Sequence, residues 1–364
     1  MLNDNICLDS KTILVTGAAG FIGSGLSLRL LKEYPGARIV GIDSMDDYYD
    51  VKIKEARLGR LTVFPNFVFI RGNIADRSAV DGIFEEYSPD IVVNLAAQAG
   101  VRNSILNPEA YVESNLVGFF NILEACRHSY DGGGPGVRHL VYASSSSVYG
   151  SNRKVPYSTD DRVDNPVSLY AATKKSNELM AHAYSKLYGI PSTGLRFFTV
   201  YGPAGRPDMA YFVFTDKLRA GEKIQIFNYG HCKRDFTYID DIVEGIVRVM
   251  RHAPEQGTGA DGLMEPPYKV YNIGNNCPED LLCFVTLLQE ELVAAGVLSP
   301  DFDFESHKEL VPMQLGDVPV TYADIAPMER DFGFKPSTSL RDGLRAFSQW
   351  YAGYYGRHDG TSVQ

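Results

Sequence analysis

The stretch Thr-Ile-Leu-Val-Thr-Gly-Ala-Ala-Gly-Phe-Ile-Gly, residues 12–23, decides the fold of this chain. Its first five residues are a short apolar run rich in β-branched side chains, which predicts a strand. Three glycines, Gly17, Gly20 and Gly23, follow, and the amphipathic segment 26–33 predicts a helix. Glycines permit a tight turn close to a ligand, and a helix N-terminus presents unpaired amides to a pyrophosphate. The pattern predicts a dinucleotide site, although a tight turn that binds no ligand has the same local sequence.

An acidic residue ends the second apolar run. Residues 38–42 form that run, and Asp43 follows it, twenty residues after Gly23. A carboxylate at this place accepts hydrogen bonds from both ribose hydroxyls of an adenosine and repels a 2′-phosphate. The residue therefore favours NAD over NADP as the cofactor. The glycine spacing itself, Gly-x-x-Gly-x-x-Gly, is weak evidence when taken alone.

Further apolar runs alternate with helical patterns along the first two hundred residues. The strand-like runs are 66–71, 90–95, 138–143 and 193–198, and the helical patterns are 76–87, 108–128 and 168–188. This alternation predicts an α/β fold, a Rossmann-like doubly wound parallel sheet with helices on both faces. Ligands in such sheets bind at the carboxyl ends of the strands. Polar or small residues follow the third, fourth and fifth runs at Asn73, at Ala96-Ala97-Gln98 and at Ser144–Ser147.

After residue 200 the chain becomes richer in glycine, proline and aromatic loops, which indicates a smaller, interleaved C-terminal substrate domain. We expect residues 1–197 to form the cofactor-binding domain, with segments near 236–253 and 268–274 returning to it. Residues 198–364 then form mainly the substrate domain.

The composition of the 364 residues, 45% hydrophobic and 22% charged, is that of an ordinary soluble protein. A formal net charge of −10 argues against nucleic acid or an anionic membrane as the main partner, since both require clustered positive charge. Five cysteines without Cys-x-x-Cys spacing indicate free thiols in a reducing compartment and argue against a metal site. No run of about 18 apolar residues is present, and we expect a cytoplasmic protein.

Tyr170 and Lys174 are four residues apart in a predicted helix. Residues at this spacing share one helix face, so the phenol and the ammonium can project into one cavity. A nearby cation favours the phenolate and lowers the pKa of a tyrosine, which would make Tyr170 a base. A solvated helix that happens to carry both residues is the alternative, and the pair alone does not exclude it.

Several motifs in one order resemble those of the extended short-chain dehydrogenases/reductases that modify nucleotide sugars. They are Gly17-x-x-Gly20-x-x-Gly23, Asp43, Asn94-Leu-Ala-Ala97, Ser144-Ser-Ser-Ser-Val-Tyr-Gly150 and Tyr170-x-x-x-Lys174. A second set of motifs resembles those of the UDP-glucuronate 4-epimerases within that superfamily. They are Gln98-Ala-Gly-Val-Arg102, Arg196-Phe-Phe-Thr-Val-Tyr-Gly-Pro203, Gly205-Arg-Pro-Asp-Met209, Arg234-Asp-Phe-Thr-Tyr-Ile-Asp-Asp241 and Pro312-Met-Gln-Leu-Gly-Asp317.

The resemblance implies a catalytic group and a cofactor site. Tyr170 would be the base, and Lys174 would hold the nicotinamide ribose and lower the pKa of Tyr170. Ser145 would hydrogen-bond the 4-oxygen of the sugar, and Ser146 is close enough in sequence to share that role. The residues implied for NAD are Gly17, Gly20, Phe21, Ile22, Gly23, Asp43, Asn73, Ile74, Leu95, Ala96, Ala97, Gln98, Asn115, Tyr170 and Lys174.

The implied reaction is a transient oxidation at carbon 4, which interconverts UDP-glucuronate and UDP-galacturonate without loss of carbon dioxide. Related decarboxylases and dehydratases carry a Glu immediately before the Val-Tyr-Gly, where this chain has Ser147. The absence of this Glu favours an epimerase. Thr199, Ser147 and Arg206 would hold the sugar carboxylate. The remaining substrate contacts implied are Arg102, Phe227, Tyr229, Arg234 and Gln314.

Other functions remain open from the sequence. A UDP-glucuronate decarboxylase, or a 4-epimerase of a neutral or N-acetylated UDP-sugar, would use the same chemistry. A non-catalytic NAD-binding regulator on the same fold is an alternative from another class. The helical patterns at 108–128 and 168–188 also carry apolar residues beyond one stripe, which predicts a homodimer through a four-helix interface. These residues are Leu116, Phe119, Phe120, Leu179, Met180, Tyr184 and Leu187.

Overall fold

A computed structural model describes residues 1–259, 262–313 and 318–358. Its strands are β1 (Thr12–Thr16), β2 (Arg38–Asp43), β3 (Phe67–Arg71), β4 (Ile91–Asn94), β5 (His139–Ser145), β6 (Ser192–Phe197), β7 (Thr199–Tyr201), β8 (Ile224–Ile226), β9 (Lys233–Tyr238), β10 (Gly257–Thr258), β11 (Met264–Glu265), β12 (Tyr268–Ile273), β13 (Pro278–Asp280) and β14 (Lys308–Leu310). Its α-helices are α1 (Phe21–Glu33), α2 (Val51–Gly59), α3 (Arg77–Tyr87), α4 (Asn103–Leu106), α5 (Pro108–Tyr111), α6 (Gly118–His128), α7 (Leu169–Tyr188), α8 (Ala210–Arg219), α9 (Ile239–Met250), α10 (Leu281–Ala294), α11 (Ala326–Phe332) and α12 (Leu340–His358).

Seven parallel strands form the central sheet in the order β12-β6-β5-β4-β1-β2-β3. The order reverses direction between β1 and β4, which leaves a crevice at the carboxyl ends of these two strands. This architecture confirms the predicted α/β doubly wound fold. The six apolar runs recognised in the sequence are the strands β1 to β6, and β12 adds a seventh strand from the region near residue 270.

Both faces of the sheet are covered, because alternate residues of each strand point to opposite sides. In β1, Ile13 and Val15 enter the hydrophobic core that includes residues of α1 and α9. Leu14 between them enters the core that includes residues of α3, α6 and α7. The near-continuous apolar strands are thus explained by burial on both sides.

Two differences from the predicted elements matter for the site. α1 begins at Phe21, five residues before the segment 26–33, because the turn leads directly into the helix with Gly20 as its N-cap. α2 was not predicted; it begins after Asp50, whose side chain accepts a hydrogen bond from the backbone N–H of Lys52. This short helix follows β2 and becomes part of the cavity wall.

A second core lies among α8, α10 and α12, and it is rich in aromatic side chains. Phe212, Phe284 and Phe347 each come from a different one of these helices and are fully buried. Two small sheets, β13-β9-β7 and β14-β8, border this core. Across the described ranges, no helix is both long and apolar enough to cross a membrane.

Candidate active site

A cavity opens at the carboxyl end of the central sheet, between the glycine turn, the end of β5 and the first turn of α7. The structure brings most of the residues singled out in the sequence to its wall. They are Gly17, Gly20, Phe21, Ile22, Gly23, Asp43, Asn73, Ile74, Leu95, Ala96, Ala97, Gln98, Ser145, Tyr170, Lys174, Thr199 and Arg206. The cavity therefore joins residues expected for a cofactor to residues expected for a sugar.

The glycine turn has no room for side chains. Gly17 has φ +69°, and a Cβ there would lie 2.9 Å from the backbone nitrogen of Ala96. A Cβ on Gly23 would lie 2.1 Å from the carbonyl oxygen of Gly17, and one on Gly20 would lie 2.9 Å from the same oxygen. No side chain caps the N-terminus of α1. A bare turn with open helix amides fits the pyrophosphate of a dinucleotide.

Asp43 is the last residue of β2 and is held by two backbone amides. Its Oδ2 accepts a hydrogen bond from the N–H of Ala19 at 3.0 Å, and its Oδ1 accepts one from the N–H of Met45 at 2.9 Å. A carboxylate has about four acceptor positions, so both oxygens retain capacity for ribose hydroxyls. The geometry fits the ribose contact expected from the sequence.

Tyr170 lies in the first turn of α7. The helix begins after Ser168, whose hydroxyl accepts a hydrogen bond from the N–H of Ala171 at 3.1 Å. The positive end of the helix dipole at this turn favours a phenolate. The Ser145 hydroxyl accepts a hydrogen bond from the N–H of Ser147 at 3.1 Å, and it also hydrogen-bonds the Tyr170 phenol. Ser145 is thereby oriented toward the expected base.

The pKa of Tyr170 corrects one expectation. Burial raises the pKa of Tyr170, whereas the hydrogen bond from Ser145 and the positive charge of Arg206 lower it. Lys174 is 3% exposed, its Nζ donates to the carbonyl oxygen of Ala143 at 2.9 Å, and burial lowers its own pKa to about 8. The expectation of a pKa below the usual tyrosine value, caused by Lys174, is therefore wrong for the protein by itself. Desolvation outweighs the favourable contacts of the phenol.

Tyr111, in α5, supports Tyr170, and its local sequence does not indicate this role. Its ring packs edge to face against the Tyr170 ring with 6.0 Å between centroids. Its hydroxyl donates to the carbonyl oxygen of Gly100 at 2.7 Å, and the side chain is fully buried. Tyr111 therefore fixes the Tyr170 ring and the loop at residue 100 together.

Arg206 is a cation of the cavity wall, and its positive charge acts on Tyr170. Its Nε donates to Oδ1 of Asp208 at 3.0 Å, and its Nη2 contacts Oδ2 of Asp208 and the carbonyl oxygen of Ala99. Burial alone would lower the pKa of Arg206, but the charge and hydrogen bonds of Asp208 outweigh it and raise the pKa. Tyr48 also donates to Asp208, at 3.2 Å. Among the described residues Nη1 has no hydrogen-bond partner, so it remains available to an anionic ligand.

Asn115 supports the cavity wall from behind. It lies in a π-helical segment, Val112–Val117, between α5 and α6. Its amide accepts from the N–H of Gln98 at 2.8 Å and donates to the carbonyl of Gln98 at 3.0 Å and to the Thr173 hydroxyl at 3.1 Å. A π-segment of this kind often marks a functional site, and here it holds the Gln98 loop in place.

Six other expected residues are not part of this wall: Ser146, Ser147, Arg102, Phe227, Tyr229 and Arg234. Ser146 and Ser147 form a 3₁₀ turn after β5. The guanidinium of Arg102 stacks over the Phe227 ring at 5.1 Å. Arg234 donates to the carbonyl oxygens of Lys233 and Pro319. Tyr229 is 51% exposed, and Gln314 lies outside the described residues. The roles expected for these seven residues stay predictions: a catalytic role for Ser146 and substrate contacts for the other six.

Some wall residues were missed in the sequence. Asp46, Tyr48, Tyr49 and Lys54 come from the segment before and within α2. The available signal was the aromatic and acidic run Asp46–Asp50, whose last residue caps α2. This run does not specify which way the helix packs. In the described part of the chain, no cluster of His, Cys, Asp or Glu side chains is arranged to hold a metal ion.

Comparisons with known proteins agree with this geometry. The model of the NAD dependent epimerase/dehydratase family matches residues 13–274. Protein CapI of Staphylococcus aureus is 49% identical over 94% of this chain and 99% of its own length. A probable UDP-glucuronate 4-epimerase of Rhizobium meliloti is 44% identical over 94% of this chain and 98% of its own length.

A solved structure has the same fold. The crystal structure of UDP-glucuronic acid 4-epimerase from Bacillus cereus, in complex with UDP-glucuronic acid and NAD, has a TM-score of 0.79 and 32% identity. The match covers 94% of this chain and 100% of that one. The chain therefore belongs to the NAD dependent epimerase/dehydratase family and, within the extended short-chain dehydrogenases/reductases, to the UDP-glucuronate 4-epimerase family.

Proposed function

We propose that this protein converts UDP-glucuronate to UDP-galacturonate by NAD-dependent epimerisation at carbon 4, without decarboxylation. One observation supports this most: Arg206, a cation with an unused Nη1, lines the same cavity as Tyr170 and Ser145. An acid sugar needs a cation beside the base, whereas a neutral sugar does not. The similar probable UDP-glucuronate 4-epimerase of Rhizobium meliloti and the solved complex with UDP-glucuronic acid and NAD support the same substrate and cofactor.

The residues that would hold NAD are those of the glycine turn, Asp43 and the wall residues after β3 and β4. Bound NAD supplies a reversible hydride acceptor, so oxidation and reduction at carbon 4 consume no cofactor. The amides of α1 would neutralise part of the pyrophosphate charge, and the Asp43 carboxylate would accept hydrogen bonds from the ribose hydroxyls. Lys174 adds a buried positive charge beside this part of the cavity.

Tyr170 then removes the proton of the 4-hydroxyl, and Ser145 donates a hydrogen bond to the phenol oxygen and to the sugar oxygen in turn. The positive charge of Arg206 stabilises the phenolate, which offsets part of the burial that raises the pKa of Tyr170. The flat 4-keto sugar rotates and is reduced on its opposite face, after which Tyr170 returns the proton. Because its pKa is raised, Tyr170 keeps its proton in the protein by itself, and the positive charge of bound oxidised nicotinamide would add to that of Arg206 in lowering the pKa so that Tyr170 can act as a base.

The carboxylate must be restrained, because a ketone at carbon 4 is β to it and favours loss of carbon dioxide. The position before the Val-Tyr-Gly motif is Ser147, so this motif supplies no acid near carbon 5. Arg206 Nη1 and the Thr199 hydroxyl can bind the carboxylate and keep its bond to carbon 5 out of line with the carbonyl π system. We propose this orientation as the reason for epimerisation over decarboxylation.

The direct test incubates the purified protein with UDP-glucuronate and no added cofactor, and follows the products by NMR. UDP-galacturonate is the expected product, and it would also show that NAD is retained through purification. Tyr170→Phe should lower turnover by about 10²- to 10⁴-fold. A UDP-pentose product would identify a decarboxylase, and a cofactor-loaded protein with no turnover on any UDP-sugar would favour a regulator.

Arg206→Ala tests the carboxylate hypothesis separately. We expect it to raise the ratio of UDP-pentose to UDP-galacturonate, because the carboxylate loses its main anchor. Arg206→Lys is the matched control, since it keeps the charge but not the planar fork. An unchanged product ratio in Arg206→Ala would refute the orientation argument while leaving the epimerase assignment in place.

We also propose a homodimer through α5, α6 and α7. Phe119 is buried in the protein's own core, so the prediction that it faces a partner is wrong. Phe120, Leu179 and Leu187 are 42%, 60% and 71% exposed. A group of exposed apolar side chains on neighbouring helices is typical of a protein–protein interface. Leu179→Arg should yield a monomer in analytical ultracentrifugation, and Val63→Arg, at an exposed valine elsewhere, should not. A monomeric unmodified protein at micromolar concentration would contradict the dimer.

The domain division and the compartment remain proposals as well. α9 packs against α1 and β12 pairs with β6, which supports assigning the segments near 236–253 and 268–274 to the cofactor domain. All five cysteines are free thiols, which supports a reducing compartment such as the cytoplasm.

A further inference from the structure

Arg57 is a buried arginine that binds only neutral oxygens. It lies in α2 and is 2% exposed. Its Nε and Nη2 donate to the carbonyl of Ala204 at 3.0 and 2.8 Å, and Nη2 also donates to the carbonyl of Gly205 at 2.9 Å. Its Nη1 donates to the carbonyl of Ala19 at 3.0 Å and to the Tyr49 hydroxyl at 2.7 Å. One guanidinium thus joins three separate segments of the chain.

The lack of a carboxylate partner distinguishes Arg57 from the other deeply buried arginine, Arg196. Arg196 forms a bidentate pair with Glu178, whereas no carboxylate among the described residues lies within ion-pair distance of Arg57. A buried cation without a counter-ion is costly and is retained only where its hydrogen bonds are extensive. Four acceptors arranged around a planar fork provide such bonds.

The loop held by Arg57 is strained. Ala204 has φ +54°, a left-handed conformation that non-glycine residues rarely adopt. A Cβ on Gly205 would lie 1.8 Å from the Tyr211 hydroxyl oxygen, so the loop packs closely against α8. Strain of this kind persists only where neighbouring contacts over-determine it. The two bonds from Arg57 to the Ala204 carbonyl are such contacts.

Both ends of the link reach the cavity. Ala19 belongs to the glycine turn, and its N–H is already bound by Asp43. Gly205 directly precedes Arg206, and Arg206 contacts Asp208, which Tyr48 also binds. The Arg57 side chain therefore holds the Ala19 carbonyl on the cofactor side and the carbonyls of Ala204 and Gly205 on the sugar side.

We propose that Arg57 is a positioning residue that ties the dinucleotide turn to the loop carrying Arg206, and so sets the cation against the sugar carboxylate. The part of this inference that concerns the carboxylate rests on the proposed function; the part that concerns the turn does not. Loss of the guanidinium frees the strained Ala204 loop, shifts Arg206 and loosens the turn. The product ratio and the affinity for NAD should then change together.

The experiment compares Arg57→Ala and Arg57→Lys with the unmodified protein. Two quantities are measured: the dissociation constant of NAD for cofactor-stripped protein by titration calorimetry, and the ratio of UDP-pentose to UDP-galacturonate by NMR. Lysine keeps the charge but cannot reach four acceptors in a plane. Leu292→Ala, a cavity in the separate aromatic core, is the control for general destabilisation, since Leu292 is fully buried there.

We expect Arg57→Ala to weaken NAD binding severalfold and to raise the UDP-pentose fraction, because the turn and the Arg206 loop lose their shared anchor. Guanidinium chloride, far below denaturing concentrations, should restore part of both properties by filling the vacated space. Arg57→Lys should be intermediate in both properties, and Leu292→Ala should change neither the dissociation constant of NAD nor the product ratio. An arginine that only stabilises the fold would leave the product ratio of the folded variant unchanged.

Folded Arg57→Ala with an unchanged dissociation constant and an unchanged product ratio would overturn the inference. If Arg57→Ala does not fold, Arg57→Lys is measured in its place. The inference is overturned if Arg57→Lys changes neither the dissociation constant of NAD nor the product ratio. If the unmodified protein makes no UDP-galacturonate, the proposed function fails, and the NAD titrations of the same variants still decide whether Arg57 positions the turn.

Discussion

The ion pair between Glu178 and Arg196 leads to the most quantitative prediction, the effect of Glu178→Gln on stability. Each side chain is 3% exposed, and the two bonds from Arg196 Nε and Nη2 to the carboxylate are 2.7 and 2.9 Å long. The Ser144 hydroxyl donates to the same carboxylate at 2.7 Å. Glu178 lies one turn after Lys174 on α7, so its carboxylate joins this helix to β6 through Arg196 and to β5 through Ser144.

The magnitude follows from the uncompensated charge that the substitution leaves. Glutamine keeps the shape of the side chain but removes the counter-charge, so Arg196 remains buried as an unpaired cation. Breaking a buried pair from one side typically costs about 3–5 kcal/mol. By contrast, replacing both partners with methionine removes both buried charges and should cost less than the single change.

The pKa of Glu178 indicates the pH range of this stabilisation. Burial alone would raise the pKa of Glu178, but the hydrogen bonds and charge of Arg196 outweigh it, so the pKa lies below its ordinary 4.5. The folded state therefore binds this proton more weakly than the unfolded chain does. The stabilisation is fully present above pH 4.5 and is lost as the pH falls through the lowered value.

Urea unfolding followed by circular dichroism and by Trp350 fluorescence measures the effect, and agreement of the two probes tests for a single transition. The matched control is Glu33→Gln, which breaks an exposed pair with Arg29 and should cost about 0–1 kcal/mol. A Glu178→Gln protein within about 1 kcal/mol of the unmodified one would refute the reasoning. So would a double methionine variant less stable than the single glutamine variant.

Three further outcomes are expected. Burial lowers the pKa of Lys174 from 10.5 to about 8, so the stability of the protein rises as the pH increases between pH 8 and pH 10.5. Lys174→Met should therefore raise the unfolding free energy at pH 7 by up to about 3 kcal/mol. Thermal denaturation near pH 10 should show a smaller gain. Asn115→Ala leaves both backbone groups of Gln98 without partners, so urea unfolding should show a loss of about 1–3 kcal/mol and calorimetry weaker NAD binding; unchanged values would contradict its supporting role. Ser145→Ala removes the hydrogen bond that lowers the pKa of Tyr170, so the acidic limb of the kcat/KM profile should move to higher pH, whereas Ser146→Ala should leave that limb in place.

The central sheet and the shared position of Tyr170 and Lys174 on the cavity wall could be predicted because their signals are local. Apolar runs bury both faces of parallel strands, and the four-residue spacing of Tyr170 and Lys174 is a property of one helix. Parallel strands place their carboxyl ends at one edge, so Asp43 and Gln98 could be assigned to a common site without coordinates. The sign of the pKa shift of Tyr170 could not, since it depends on how much water the folded chain excludes.

The supporting contacts were decided only by the tertiary structure. Ala204 lies 147 residues after Arg57 in the chain, and nothing in either local sequence indicates that one binds the other. The direction in which α2 packs, the π-segment that turns Asn115 toward Gln98, and the stacking of Arg102 on Phe227 have the same origin.

Residues 12–23 by themselves determined a strand, a glycine turn and a helix, because backbone conformation follows from neighbouring residues, and the alternation of apolar runs and helical patterns after them predicted the doubly wound sheet. Only the tertiary structure decided that the turn is tied through Arg57 to the Arg206 loop. Such a link depends on loops that meet after the sheet has formed, and its energy comes from hydrogen bonds in a space that excludes water.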